Sequence, residues 1–119
     1  MIKLPASAFK HILQAATDEA IIEAGNSTGR DVPNTYIMSK WGELTVENAL
    51  NYLKITADHT NLFEYSEIIR DGMINVTLTH DFGAKGSLFL QRYVQAIFEQ
   101  LNKRPKFSPD ENAVAFELR

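Results

Sequence analysis

The residue types that most readily do chemistry in this chain lie between His80 and Ser87, where the sequence is His-Asp-Phe-Gly-Ala-Lys-Gly-Ser. This segment joins a predicted strand to a predicted helix, and the free N–H groups and dipole of a helix start favour an anion. It is not a P-loop, because the leading glycine and the Gly-Lys-Ser order are missing. We predict a site for a small molecule or an anion, formed by His80, Gly83, Lys85, Gly86 and Ser87. The alternative is a structural turn in which Asp81 caps the helix.

Glu67 is a further candidate ligand-binding residue, because the strand register given below directs its carboxylate to an apolar sheet face opposite Val76. Burial there would raise the pKa of the carboxyl group, a property that catalytic acids and sensors share. A position near the sheet edge, or a bulge that shifts the register, would remove this effect. His80 could join Glu67 or Asp81 in a polar pocket at the rim of the sheet, or could serve only as a structural hydrogen-bonding group.

Other chemistries have less support in the sequence. The three histidines, His11, His59 and His80, have no His-x-x-x-His spacing, and cysteine is absent, so no metal site is predicted. No serine, threonine or lysine is paired with an identifiable base, so no catalytic residue is predicted either. The sequence indicates no particular cofactor.

The N-terminal half is predicted to be helical. Pro5 suits a first helical turn, and apolar residues follow at the spacing of one helical face, namely Phe9, Ile12, Leu13 and Ala16. Thr17 predicts a break and the start of a second helix. Glycines and polar residues from Gly25 to Pro33 predict that this helix weakens there. Thr45 is the predicted N-cap of a helix that extends to Ala57.

Two β-rich runs between Leu62 and His80 flank Asp71-Gly72, the dipeptide favoured in a two-residue type I′ hairpin turn. If Arg70 faces Met73, a regular set of pairs follows along the strands: Ile69 with Ile74, Glu67 with Val76, Tyr65 with Leu78 and Phe63 with His80. These eight side chains then share one face of the sheet.

A long helix comes next, and its broad apolar stripe contains Leu90, Val94, Ile97, Phe98 and Leu101. Ala113 to Leu118 alternates as a third strand, after a predicted loop bounded by Pro105 and Pro109. The predicted fold class is α+β, with a helical N-terminal half followed by a β-β-α-β unit. Its three-stranded antiparallel sheet has the predicted order 2-1-3. Residues 1–119 are predicted to form a single domain.

Composition limits the setting in which the protein acts. Its 12 lysines and arginines are outnumbered by 15 acidic residues, so the whole molecule does not attract nucleic acid or an anionic membrane. No apolar stretch approaches the roughly 20 residues that span a bilayer. With no cysteine and no signal-like apolar segment, the predicted location is cytoplasmic.

Helices followed by an Asp-Gly hairpin resemble a winged-helix DNA-binding domain, with Thr45 to Ala57 as the recognition helix and Leu62 to His80 as the wing. That helix offers Glu47, Asn48, Asn51 and Lys54, whereas recognition helices usually present more basic side chains to DNA. A winged-helix transcription regulator is therefore the alternative function and not the predicted one.

A second resemblance rests on Leu78-Thr79-His80-Asp81-Phe82-Gly83 with Lys85 and Ser87, and on Gly42-Glu43-Leu44-Thr45 upstream. These residues are similar to uncharacterised archaeal domains that stand alone or follow a DNA-binding module. More distantly they resemble sensor domains related to vinyl reductases and haem–nitric oxide proteins. The resemblance implies a regulatory or sensory role. The cysteines frequent in some vinyl-reductase-like domains are missing, so a metal site is not carried over.

We therefore predict a non-enzymatic regulatory domain that senses a small molecule or binds another protein, and that forms a homodimer. The aromatic side chains of Trp41, Phe89 and Tyr93 are the candidate interface or pocket. Packing in the core would account for the same residues. A small enzyme that uses Glu67 and His80 is a further alternative.

Overall fold

A computed structural model describes residues 6–119 of the chain, and the predicted first-turn residue Pro5 lies outside them. The helices and strands, in chain order, are α1 (Ala6–Ala15), α2 (Asp18–Trp41), α3 (Val46–Thr60), β1 (Glu64–Arg70), β2 (Met73–Thr79), α4 (Gly83–Glu99), β3 (Lys106–Asp110) and β4 (Ala113–Leu118). The helical N-terminal half is thus confirmed, while the second half contains one strand more than predicted.

The predicted helix starts are confirmed at both threonines. The hydroxyl of Thr17 accepts a hydrogen bond from the Ala20 N–H (3.2 Å) and begins α2, and the hydroxyl of Thr45 accepts one from the Asn48 N–H (3.0 Å) and begins α3. Gly42 ends α2 with a φ of 77°, a left-handed conformation that glycine adopts without strain.

The predicted weakening of the second helix between Gly25 and Pro33 is wrong, because α2 continues through this segment. Every fourth residue of α2 is buried, in the series Ile21, Gly25, Gly29, Pro33 and Ile37. A Cβ atom on Gly25 would lie 2.9 Å from the Phe89 carbonyl oxygen of α4, and one on Gly29 would overlap the Tyr93 carbonyl oxygen. The two glycines therefore allow two helix backbones to approach closely, and packing outweighs their low helix propensity.

The hairpin is confirmed, and so is its predicted register within the two strands; the predicted pair of Phe63 and His80 lies beyond the strand ends. Arg70 pairs with Met73, and the alignment continues through Glu67 opposite Val76 and Tyr65 opposite Leu78. Both turn residues have positive φ angles, 53° at Asp71 and 75° at Gly72, as a type I′ turn requires.

The three-stranded sheet of order 2-1-3 is wrong, because the sheet has four antiparallel strands in the order β1-β2-β4-β3. The missed strand, β3, contains Pro109, and proline is tolerated there because β3 is an edge strand. The predicted third strand, β4, lies beside β2 and not beside β1. This arrangement pairs Val76 with Phe116 at the centre of the sheet, where both side chains are buried, and leaves the more polar strands at the edges.

The two faces of the sheet differ in chemistry. On one face, the alternating residues Val76, Leu78, Val114 and Phe116 are buried in a core shared with α3 and α4. Strand β4 thus alternates as predicted. The opposite face carries a row of small side chains that crosses all four strands, namely Ser66, Thr77, Ala115 and Ser108.

The contact between α2 and α4 can be tested with Gly29→Ala. Alanine favours a helix over glycine by about 1 kcal/mol, whereas overpacking costs about 1–3 kcal/mol, and a backbone oxygen cannot rotate away from the new methyl group. The net loss lies between about 0 and 2 kcal/mol, and because the clash is with backbone we expect the upper half, a fall of about 1–2 kcal/mol in the free energy of unfolding in urea. Ser39→Ala, at an exposed position of the same helix, is the control and should change it by less than about 0.5 kcal/mol. A Gly29→Ala variant as stable as the parent would contradict the close contact.

Candidate functional site

His80 follows β2 and Ser87 lies in the second turn of α4, and their side chains contact each other. The imidazole Nε2 of His80 is 2.8 Å from the Ser87 Oγ, and its Nδ1 accepts a hydrogen bond from the Phe82 N–H (3.1 Å). The Ser87 hydroxyl is also within hydrogen-bond distance of the carbonyl oxygens of Asp110, the last residue of β3, and Glu111, in the turn that follows. Both side chains are buried.

These hydrogen bonds assign the protonation of the pair. Because His80 Nδ1 accepts from an N–H, its lone pair is free of a proton, and a neutral ring then carries its proton on Nε2. Nε2 therefore donates to the Ser87 Oγ, and the serine hydroxyl donates to a backbone carbonyl. A base that activates a serine must instead accept its proton, so this pair is arranged as a structural link between α4 and the β3–β4 turn.

Asn112 caps the start of α4. The sequence analysis offered Asp81 as the capping residue of a structural turn, and that part of the alternative is wrong. The Asn112 side-chain oxygen accepts from the Gly83 N–H (2.9 Å), and its backbone carbonyl accepts from the His80 N–H (2.9 Å). Asp81 is exposed and lies 4.0 Å from the Lys10 ammonium group. The Gly83 N–H, one of the donors predicted to hold an anion, is thus already bonded within the chain.

Lys85 holds α1 in place. Its ammonium group donates to the carbonyl oxygens of Ala16 (2.6 Å) and Gln14 (3.2 Å), at the C-terminal end of that helix. A cation is favoured there because the helix dipole is negative at this end. Lys85 therefore acts across elements that are far apart in the sequence, which no local pattern predicts.

Gly86 has no side chain because other groups occupy the space. A Cβ atom at this position would overlap the Cβ of Phe82 and lie 3.1 Å from the imidazole Cε1 of His80. The close approach brings Phe82 under the first turn of α4, where its ring stacks on His80 with a centroid distance of 5.9 Å.

Glu67 lies apart from the hydrogen bonds of His80. Its carboxylate forms an ion pair with Lys54 of α3, and the same ammonium group lies 5.5 Å from the centre of the Tyr65 ring. The Tyr65 hydroxyl is buried without a hydrogen-bond partner, and burial, with a smaller contribution from Glu67, raises the pKa of this phenol. The two predicted polar residues Glu67 and His80 are therefore held by different partners.

An apolar pocket of about 200 Å³ lies between α1, α2, α3 and α4. Five aromatic rings contribute to its wall, together with two leucines, two threonines and a glycine: Phe9, Phe63, Phe82, Phe89, Tyr93, Leu62, Leu90, Thr28, Thr56 and Gly86. The rings of Phe82 and Phe89 both contact Phe9 edge-to-face, with centroid distances of 5.2 and 5.6 Å. The sequence predicted an interface or pocket at Phe89 and Tyr93 but missed the parts of the wall that come from α1, α2, α3 and the loops before β1 and α4.

The polar groups in the pocket wall have partners elsewhere. The Thr28 hydroxyl donates to the Ala24 carbonyl, and the Thr56 hydroxyl donates to the Tyr52 carbonyl (2.8 Å). The Tyr93 and Tyr52 hydroxyls lie 2.6 Å apart, and burial raises the pKa of Tyr93. The pocket thus offers an occupant mainly carbon surface.

The three aromatic residues predicted for an interface or a pocket lie in different surroundings. Phe89 lines the pocket and stacks on Tyr93, which is itself buried. Trp41, at the end of α2, is half-buried beside Tyr36, and the Lys40 ammonium group lies 5.3 Å from the centre of its ring. The structure therefore brings Phe89 and Tyr93 together and leaves Trp41 apart from the pocket.

Two functional features are absent from residues 6–119. In that part of the chain, no group of three or more histidine, aspartate or glutamate side chains is placed to hold a metal ion. None of the helices described there is long and apolar enough to cross a membrane.

Comparison with known proteins yields no assignment: no protein-family profile matches the chain, and no curated protein matches it. The resemblance to vinyl-reductase-like and haem–nitric oxide sensor domains therefore stays a prediction.

The buried position of His80 predicts how stability depends on pH. Burial lowers the pKa of this imidazole below its usual 6.5, against a smaller opposing effect of Asp81. Between the lowered pKa and about 6.5, the unfolded chain binds a proton that the folded chain does not, so the free energy of unfolding falls as the pH drops through this window. The slope approaches about 1.4 kcal/mol per pH unit.

Urea unfolding at several pH values between 7.5 and 5, for the parent and for His80→Gln, measures this contribution. We expect the variant to be less stable at pH 7.5, because it loses the buried hydrogen bonds, and to depend less on pH. An NMR titration of the parent, in which the His80 ring resonances change with a pKa at or above 6.5, would contradict the prediction.

Proposed function

We propose that this chain is a regulatory domain that binds a small, uncharged, apolar molecule in the pocket beneath α1. The observation that carries the proposal is the aromatic lining of that pocket, whose polar groups are already hydrogen-bonded within the chain. Such a wall favours a ligand without charge, because burying an unpaired charged group is very costly.

The size of the pocket limits the ligand. An apolar cavity of about 150 Å³ in another protein binds benzene, so a pocket of about 200 Å³ suits a single aromatic ring with a short substituent, or a short alkyl chain. Most pockets for drug-sized ligands are larger, at about 300–1,000 Å³.

The position of α1 supports a regulatory role. Phe9 of α1 forms part of the pocket wall, and Leu13 packs with Ile21 and Phe82 beside it. The C-terminal end of α1 is bonded to Lys85. A ligand that contacts Phe9 would add to these few contacts and favour the docked position of α1, and a change in that position is a signal that a partner can detect.

Neither of the alternative functions is proposed. An enzyme that uses Glu67 and His80 would need the two side chains together, whereas Glu67 is paired with Lys54 and His80 with Ser87. A winged helix presents basic side chains of its recognition helix to DNA, whereas the lysine that α3 offers there, Lys54, is in an ion pair with Glu67.

Benzene and benzoate form a matched pair of probes for the pocket. Benzene added to the ¹⁵N-labelled protein should shift the amide resonances of Phe89, Leu90 and Thr28. The expected dissociation constant is about 1 mM, which corresponds to a binding free energy of about −4 kcal/mol for a ligand of six carbon atoms. Benzoate should cause no such shifts at the same concentration, because its carboxylate would be buried without a partner.

Two variants of α2 show whether the probe enters the pocket. Thr28→Leu fills part of the pocket and should weaken benzene binding at least about tenfold, as expected for a loss of about 1.4 kcal/mol. Thr35→Leu is the control, because Thr35 makes the same bond to the carbonyl four residues before it (2.9 Å, to Asp31) but lies exposed. Equal binding by both variants, or no shifts with benzene, would overturn the proposal.

A further inference from the structure

Strand β1 lies at an edge of the sheet and contains two exposed isoleucines. Ile68 is 60% exposed and Ile69 is 66% exposed, the largest values among the exposed large hydrophobic side chains of the described residues. They point to opposite faces of the sheet, because successive residues of a strand alternate. An edge strand with exposed apolar side chains is a template for pairing with another chain, and the charged residues of β1, Glu64, Glu67 and Arg70, limit which partner and register it accepts.

The hairpin determines which backbone groups of β1 point outward. In a two-residue hairpin, the residues that flank the turn, Arg70 and Met73, exchange hydrogen bonds, and the pattern then alternates along the antiparallel pair. The N–H and C=O groups of Tyr65, Glu67 and Ile69 therefore point away from β2, toward the free edge.

We propose that β1 pairs with β1 of a second copy of this chain, antiparallel about a two-fold axis at Glu67. This register overlaps the whole strand and places Tyr65, Glu67 and Ile69 opposite Ile69, Glu67 and Tyr65 of the partner. The outward backbone groups of both copies thus meet as hydrogen-bonded pairs. Two four-stranded sheets become one continuous sheet of eight strands.

Charge complementarity selects this register. With the axis at Glu67, Glu64 at one end of β1 lies directly opposite Arg70 of the other copy, and the pair occurs twice. Cross-strand pairs of opposite charge stabilise a sheet, whereas like charges destabilise it. The two Glu67 side chains also meet at the axis, but each is already in an ion pair with Lys54 of its own chain.

The same register covers exposed apolar surface. Ile69 of each copy lies against the Tyr65 ring of the other, and an aromatic ring next to a β-branched side chain is a favourable cross-strand pair. On the opposite face, Ile68 lies against Ser66.

This dimer does not depend on the proposed ligand pocket. Its interface lies at β1, whereas the sequence predicted an interface or pocket at Trp41, Phe89 and Tyr93.

Charge reversal and charge exchange test the pairing. Sedimentation velocity should show the parent as a dimer at about 100 μM. Glu64→Arg and Arg70→Glu should each weaken dimerisation at least about tenfold, because each places like charges opposite one another twice. The double variant Glu64→Arg with Arg70→Glu should regain the affinity of the parent within about threefold, because its charges are again complementary.

Lys106→Glu is the matched control, because it reverses a charge on the other edge strand, β3, and should leave the dimer unchanged. Circular dichroism verifies that each variant is folded. A monomeric parent would overturn the proposal. So would single variants that dimerise like the parent, or a double variant that dimerises as weakly as the single ones.

Ile69→Lys removes the apolar contact with Tyr65 and should weaken dimerisation independently of the charge pair. An Ile69→Lys variant that dimerises like the parent would contradict this contact.

Discussion

The close contact between α2 and α4 is the constraint on which the rest of this structure depends. Gly25 and Gly29 lack the side chains that would otherwise strike the Phe89 and Tyr93 carbonyl oxygens. The contact holds a helix of 24 residues against a helix that itself packs on the sheet, and Ile37 of α2 thereby reaches the same core as Val76 and Phe116. Glycine and proline would weaken an isolated helix, so tertiary packing stabilises α2.

The same contact determines where the pocket lies. Thr28, the residue before Gly29 in α2, lines it together with Phe89 and Tyr93 of α4, whose carbonyl oxygens the two glycines approach. The segment from His80 to Ser87, which includes the first residues of α4, holds the start of that helix in place. Its residues are tied to Asn112 on one side, and to the end of α1 through Lys85 on the other. Most of the residues predicted to bind a ligand thus position the elements around the pocket, and Gly86 alone among them lines it.

The sequence predicted the features that arise from local stereochemistry. Thr17 and Thr45 cap helices by bonds to a residue three positions later, and Asp71-Gly72 sets the register of both hairpin strands. The wrong predictions concern features that depend on contacts between residues far apart in the sequence. Gly25 and Gly29 predict a weakened helix until α4 is known to lie against them, and Pro109 indicates a loop until β3 is known to be an edge strand. Of the aromatic residues in the pocket wall only Phe89 and Tyr93 were predicted, because Phe9, Phe63 and Phe82 join them only after all the elements have packed.

We expect α2, α4 and the sheet to form one cooperative unit, against which α1 docks as a separable cover. Native-state hydrogen exchange, measured amide by amide, tests it most directly. We expect amides of α2 and α4 to exchange only through global unfolding, with the same opening free energy. Amides of α1 should open at least about 2 kcal/mol more easily, because local openings range from near zero up to the global value. Equal protection of α1, α2 and α4 would contradict the account.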